Sequence, residues 1–478
     1  MTLAPTSNAF DANARAALAD PVLQSALARF APGITSHRRH ALGRLPEFEA
    51  LRDAAAAIRR RVLADLPAWL EAFETAAVAQ GARVHWARDA DEATRIIVDL
   101  AKAEGARTVT KAKSMVSEEI GLNAALEAAG VTPIETDLGE YIIQLAGEPP
   151  SHIIGPALHK TAGQVAELFQ QHHGGPPREV DKPALVAEAR AVLRERYFAA
   201  DIGITGANML IAETGGVVTV TNEGNADLTH SLPRLQVVVA SIEKVVPTLA
   251  EAMTLVRVLA RSATGQEIST FTSFVHGPRK PGETEGPEAL HIVLVDNGRS
   301  ALMGGPAEEV LACIRCGACM NHCPVYQAVG GHAYGWVYPG PIGAALDPAL
   351  AGLEATKTLP DATPMCGRCA DVCPVRIPLP KIFRHWREET VKAGLEPQRQ
   401  RWMLALWRWF AVRPWLYAPV ADAKVRIIRM LAGGKGSWTK AWTTGAWSKA
   451  RDLPLPEGAS FQGQWRQEGR PIRPGDLP

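Results

Sequence analysis

No cysteine precedes position 313 in this chain of 478 residues, and none follows position 373. Seven lie between. An odd number so confined excludes a disulfide framework and points to metal or redox chemistry in a reducing compartment. Nor is a secretory leader expected: MTLAPTSNAFDANARAALAD shows no basic n-region and no apolar h-region, and Asp11 stands where that core would lie. No apolar run reaches about 18 residues, so no membrane-spanning helix is expected and the expected location is the cytoplasm. No GxGxxG follows a strand and opens a helix, and no GxxxxGK precedes Ser or Thr. The usual cradles for nicotinamide, flavin and ATP are therefore absent.

What is present is enough apolar residue, 47% of the chain, for more than one core. At this length two to four compact units are the prior. The formal charge of +1 hides an asymmetry: Lys381 to Lys449 holds 14 Lys/Arg against 4 Asp/Glu, leaving Met1 to Pro380 at −9. An acidic body and a basic tail bear on partners.

Periodicity divides the chain into four stretches. Residues 1–80 read as a helical N-terminal segment, with Phe48 through Ala77 Ala- and Leu-rich at helical spacing and broken near Pro67. Residues 81–300 alternate strand and helix signals. ARVHWA, RTVTKA, TPIETD, MLIAETGGVVTVTN, RLQVVVAS and LHIVLVD supply strands, which predicts a mixed α/β domain with a largely parallel sheet. A helix is expected to begin near Ser117, whose hydroxyl can cap it while Glu118 and Glu119 suit its positive end. GGPPREVDKP reads as a loop between two lobes. Residues 301–390 crowd Cys, Gly and Pro, and 391–478 form a basic, Trp-rich C-terminal region. Apart from the two cysteine motifs there is no internal repeat.

The motifs are Cys313-x2-Cys316-x2-Cys319-x3-Cys323-Pro324 and Cys366-x2-Cys369-x3-Cys373-Pro374. Zinc sites pair two CxxC units across a longer gap, whereas here four cysteines sit within eleven residues. Loops this short aim successive thiolates at one cubane, and the Cys before Pro characteristically serves the neighbouring cluster. That rule predicts two iron–sulfur clusters of the [4Fe-4S] type. Cys313, Cys316, Cys319 and Cys373 would hold the first, and Cys323, Cys366 and Cys369 the second. Thr363 stands where an eighth cysteine is expected. The second site is then a [3Fe-4S] cluster, or a four-iron cluster completed by Thr363, Asp361, water or another residue. An iron without a thiolate can act as a Lewis acid, so substrate chemistry there is an alternative to electron relay. Between the motifs, His332, Tyr334, Trp336 and Tyr338 offer an aromatic lid over a cluster, or ordinary loop packing. The flanking helix-like segments resemble the α-helical ferredoxin module of respiratory iron–sulfur subunits.

Four segments carry a wider resemblance: ETDLGEYIIQLAGEPPSHIIGPALHK (Glu135–Lys160), ITGANMLIAETGGVVTVTNEGN (Ile204–Asn225), IEKVVPTL (Ile242–Leu249) and CIRCGACMNHCPVY (Cys313–Tyr326). With the basic Trp-containing tail, they make almost the whole chain similar to the lactate utilisation protein B family. The resemblance implies an electron-transfer subunit of a three-protein system that oxidises L-lactate to pyruvate without NAD. Its implied partners are a cysteine-rich-domain protein and a smaller protein sharing the α/β domain. That domain would in turn be similar to the sugar-isomerase and CoA-transferase-like superfamily, which binds small anionic or phosphorylated ligands. Removing two electrons from lactate, when clusters take one at a time, requires a splitting device that this sequence does not display. A redox-sensing iron–sulfur protein remains the other reading.

Within the α/β stretch, Lys111, Lys113 and Ser114 follow a strand, Glu213 and Thr214 precede Gly215-Gly216, and Glu223-Gly224-Asn225 follows. Glycines beside acids let backbone approach a ligand, and lysines bind carboxylates; turn glycines with solvated charges are the plainer alternative. Glu213 is the first choice for a catalytic residue. His85, His152 and His159 have no evident partner. Eight of twelve tryptophans follow residue 400: Trp402, Trp407, Trp409, Trp415, Trp438, Trp442, Trp447 and Trp465. Packing on the body or on a subunit is expected for them, with peripheral membrane contact as the alternative. Nucleic acid is not expected, since no recognised motif accompanies the charge.

Overall fold

The α/β stretch folds around six parallel strands: β1 (Arg83–Ala87), β2 (Thr108–Lys111), β3 (Thr132–Glu135), β4 (Ile202–Gly206), β7 (Leu235–Ser241) and β10 (Ala289–Val295). They run in the order β1-β10-β7-β4-β2-β3. In the central strand β7, LQVVVAS, every residue is buried, as a strand covered on both faces requires. The computed structural model describes residues 4–176, 180–432, 437–438, 452–456 and 458–468.

Helices flank both faces. Asp89 caps Ala90–Ala103 by accepting from Glu92 N at 2.8 Å, and Ala90, Ala93, Ile97 and Ala101 bury one stripe against Val109, Val237 and Val293. On the other face Leu66–Ala79 buries Leu70, Phe73 and Ala77 against Val238, Ile292 and Leu294. A second sheet, ordered β8-β5-β6-β9, comprises β5 (Met209–Ile211), β6 (Gly216–Thr221), β8 (Val245–Val246) and β9 (Phe271–Val275). MLIAETGGVVTVTN therefore forms a hairpin of this smaller sheet and adds nothing to the main one.

The largest apolar cluster joins Phe10 and Phe48 of the N-terminal helices to Tyr326, Tyr334, Leu346 and Phe383 around the cysteines. Met1–Ala393 forms one compact unit and Gly394–Pro478 a second. In the second, helices Gln398–Ala411 and Pro414–Leu431 bear the basic residues.

Some expectations shift. Ser114, not Ser117, caps the helix after β2, its Oγ accepting from Ser117 N. Ser117 lies inside the helix, and its own hydroxyl donates to the Ser114 carbonyl. The loop around Gly174–Pro183 joins two helices of one apolar cluster, Ala162–His173 and Lys182–Ala199, and separates no lobes. No helix among the described residues is long and apolar enough to cross a membrane. Within the second unit Trp402, Trp407, Trp409 and Trp415 are exposed, and Trp465 is half-buried. Trp442 and Trp447 lie outside the described residues, and of Trp438 only the backbone is described.

Candidate functional site at the cysteine motifs and the adjoining cavity

The two motifs repeat one backbone shape. Arg315 and Met365, each the residue before the CxxC pair, have φ of 58° and 55°, and Gly317 and Gly367 follow at 72° and 80°. The parallel extends to side chains. Arg315 N donates to Cys313 Sγ at 3.3 Å, and Met365 N donates to Thr363 Oγ1 at 3.1 Å. Thr363 thus occupies the place of Cys313 in the second motif, its hydroxyl in the position of a thiol.

All seven cysteines are free thiols. Burial, then the sulfurs of Cys373 and Cys313, pushes the Cys316 thiol up; burial, then Cys313 and Cys316, does the same to Cys319. Cys369 is pushed up to about 12 by burial and then by Cys323 and Cys366. Cys323 is raised by burial and also by Cys366. The thiols of Cys313, Cys316, Cys319 and Cys373 thus raise one another, as do those of Cys323, Cys366 and Cys369, with Cys369 also acting on Cys319. Backbone amides are aimed at them, Ile377 N donating to Cys373 Sγ at 3.4 Å. Sulfurs packed so closely, with amides supporting the thiolate, fit a metal cluster. Among the described residues no three Cys, His, Asp or Glu side chains close around a single-ion site.

Cations surround the set of four. Arg38 donates to the Val372 carbonyl at 3.2 Å, Arg52 to those of Asp371 and Cys373 at 2.6 and 2.8 Å, and Arg59 to those of Leu311 and Ala312 at 3.1 and 3.3 Å. Arg315 lies over the Tyr338 ring at 4.5 Å and pairs with Glu243 at 3.3 Å. Glu243 pairs in turn with Arg299, which is bidentate on Glu119; Tyr338 also donates to Glu119, at 2.5 Å. This fully buried chain ties the ends of β7 and β10 to the first cysteine loop. Burial opposes the Glu243 charge, but Arg299 and Arg315 outweigh it and hold the carboxyl down at about 2.

A cavity of about 220 Å³ opens beside Cys316. All four resemblance segments reach it. Glu135–Lys160 contributes Asp137, Ile153 and Ile154; Ile204–Asn225 contributes Thr205, Thr219 and Glu223; IEKVVPTL contributes Lys244; the cysteine loop contributes Arg315 and Cys316. Segments far apart in sequence are thus neighbours around one space.

Of the residues singled out above, Lys113, Ser114, Glu223 and Asn225 line this cavity. Lys111 does not. It is buried, where desolvation works against its charge, yet Glu118 at 2.8 Å and Glu135 at 2.7 Å raise it overall. Glu213 is exposed and outside the cavity; its carboxylate accepts from Leu249 N at 3.1 Å at the start of a helix. The glycines beside it serve packing, for a Cβ on Gly215 would stand 2.2 Å from Ala77 N. Gly215 admits a helix, and Gly216 the His276 ring, whose Nε2 would stand 2.6 Å from a Cβ there. His85 meets His291 at 2.9 Å between β1 and β10, and His159 bonds Glu148 and Ser151. His152 is buried; Ile154 N donates to its Nδ1, so its Nε2–H donates to Asn321 Oδ1 at 2.9 Å. It locks Glu135–Lys160 onto the cysteine module. His332 turns away to the Pro149 carbonyl, and Asp361 is held by Arg387 at 2.9 Å. Tyr334 is buried near Cys323, its hydroxyl without a regular hydrogen bond. Sequence reasoning missed Lys244 and the N-terminal arginines.

The LUD domain family matches residues 70–295, and the 4Fe-4S dicluster domain family matches residues 309–377. The second match places iron–sulfur clusters on the cysteine motifs. An uncharacterized electron transport protein, YkgF of Escherichia coli, is 39% identical, the alignment covering 98% of each chain. Lactate utilization protein B of Lysinibacillus sphaericus is 42% identical over 97% of each chain, and that of Bacillus licheniformis 41% over 91% of this chain and 92% of its own. A duf162 family protein of known structure from Deinococcus radiodurans covers 48% of this chain and 98% of its own at 15% identity, with a TM-score of 0.26.

Proposed function

Since this chain belongs to the lactate utilization protein B family, we propose that it is the iron–sulfur electron-transfer subunit of an NAD-independent complex that oxidises L-lactate to pyruvate. The observation that supports the reading most is the one backbone shape shared by the two cysteine loops, both within the match to the 4Fe-4S dicluster domain family. Cys313, Cys316, Cys319 and Cys373 hold the first cluster; Cys323, Cys366 and Cys369 hold the second, with the Thr363 hydroxyl in the fourth place. Bound there, the clusters supply one-electron transfer.

The chain's own groups set the conditions. Arg38, Arg52, Arg59 and Arg315 place positive charge around the first set, which favours its reduced state. Cys366 is exposed, which makes the second set the surface end of the relay. The pocket enclosed by Thr363, Cys323, Cys366 and Cys369 is about 10 Å³ and walled by Pro341, Pro364 and Pro380. It offers a substrate no cleft of its own, which favours relay over chemistry at that iron. The partners in this reading are a cysteine-rich-domain protein and a smaller LUD-domain protein. The exposed tryptophans of Gln398–Ala411 fit a subunit contact.

Iron and acid-labile sulfide on anaerobically purified protein, with EPR before and after dithionite, test this. Near eight irons with reducible four-iron signals, followed by reduction from L-lactate only when the partner proteins are added, is the expected outcome. Zinc in place of iron would sink it.

A further inference from the structure

The cavity beside Cys316 contains polar groups that the fold leaves without partners. Lys244 is 7% exposed, and among the described residues its ammonium makes neither an ion pair nor a hydrogen bond. Burial and the Arg315 charge work against that ammonium, and Glu243 and the Cys313 sulfur, which favour it, lie beyond pairing distance, so its charge calls for a closer partner. Thr219 Oγ1, Thr221 Oγ1, Asn225 Oδ1 and Arg315 Nη1 are likewise buried and unpaired, and all four residues line the same space. Thr219 is 6% exposed and Asn225 4%. Five unmet groups around one cavity outnumber what chance leaves in a native core.

We propose that this cavity binds a short-chain carboxylate bearing a hydroxyl or carbonyl group, with its carboxylate on Lys244 and Arg315 Nη1. The hydroxyls of Thr219 and Thr221 and the Asn225 carbonyl receive its second polar group. Charge and size select this class. Lys113, held by the Ile154 carbonyl, Lys244, and Arg315, which also pairs with Glu243, supply the positive charge, while Asp137 and Glu223 line the same cleft and offset it against a dianion such as phosphate. A volume of about 220 Å³ falls below the roughly 300–1,000 Å³ of clefts for drug-sized ligands, so a dinucleotide is too large. At the start of helix Leu138–Ala146 the Asp137 carboxylate already accepts from Gly139 N and Glu140 N, where a phosphate would otherwise bind. With Cys316 in the wall, the ligand lies against the first cluster site. The inference deepens the electron-transfer reading, resting on it for the presence of the clusters, and assigns a ligand to this chain and not to a partner.

Calorimetric titration of anaerobically purified, full-length holoprotein with L-lactate, pyruvate, acetate and inorganic phosphate tests it. Iron content and the dithionite-reduced EPR spectrum, recorded on the same samples, report separately on the relay. Saturable binding of L-lactate or pyruvate is expected, tighter than acetate or phosphate, with a perturbed EPR signal. Lys244→Met should weaken it at least tenfold at unchanged iron content, and Lys244→Arg should keep part of it. If Lys244→Met loses iron, Thr219→Val decides, lowering L-lactate affinity while sparing acetate. Full iron with no saturable carboxylate binding overturns the inference and leaves the relay standing. Tighter binding of phosphate overturns it too, as does wild-type affinity in Lys244→Met, or in Thr219→Val where that variant decides.

Discussion

The two cysteine motifs share a backbone and differ in surroundings. The first is wrapped: Arg38, Arg52 and Arg59 from helices near the N-terminus bind carbonyls flanking Cys313 and Cys373, and Arg315 and Lys244 stand beside it. The second is thin, with exposed Cys366, a threonine in place of a thiol and prolines for walls. Iron–sulfur potentials depend on net charge, amide donors and solvent, so one motif used twice yields two unequal sites. The contrast implies a relay with direction, since the cation-rich site holds an added electron more favourably than the exposed one.

The strongest way to break the contrast is to remove ligands. Cys316→Ser should abolish the first site's EPR signal and remove about four irons, leaving the second site's signal. Loss of both signals would show that the two sites assemble as one. Next in size, Arg59→Met deprives at least four backbone carbonyls of their donor. Each buried group left unpaired costs roughly 1–3 kcal/mol, so a drop of about 3 kcal/mol or more is expected in denaturant unfolding. Redox titration should show the first site's potential falling and the second's unmoved; a shift in both would refute the idea that charge is local. Thr363→Cys sharpens the other side. Its sulfur falls where Cys313 has one, so any three-iron signal in the oxidised protein should disappear at little cost in stability. Persistence of that signal would mean that Thr363 is not the fourth position.

The smallest effect concerns pH. Burial holds His152 down at about 3, so the folded protein keeps it neutral while the unfolded chain protonates near the ordinary value. Below about pH 6.5 the unfolded state binds the extra proton, and stability falls as pH is lowered toward 3. His152→Gln should flatten the decline of Tm between pH 6.5 and 5.5. An unchanged slope would relieve His152 of that role and leave its tie to Asn321 as packing alone.

Local patterns were legible and distant ones were not. Cysteine spacing announced both motifs and the missing thiol at Thr363, because a cubane imposes short intervals that sequence preserves. Apolar runs such as LQVVVAS marked the main strands, whereas β4, IGITG, and β9, FTSFV, were missed: the first is short and Gly-rich, the second lies on a half-exposed edge. Glu213 beside two glycines looked like a ligand-binding turn, but that backbone yields to Ala77 from another helix. Nothing in LRDAAAAIRRRVLA distinguishes Arg52 and Arg59 from surface arginines. Their acceptors are carbonyls hundreds of residues away, and carbonyls carry no sequence signature. Lys244 was hidden likewise, next to Glu243 as one of a pair of charges of the kind that ends many strands.

The arginine contacts also bear on how the protein is made. During synthesis the helices Pro21–Gly43 and Phe48–Ala64 leave the ribosome early, whereas the Leu311, Asp371 and Val372 carbonyls that their arginines bind emerge only with the cysteine segment. Each of these contacts spans more than 250 positions of chain, so the first helices and the cysteine segment can be clasped together only after both have been made.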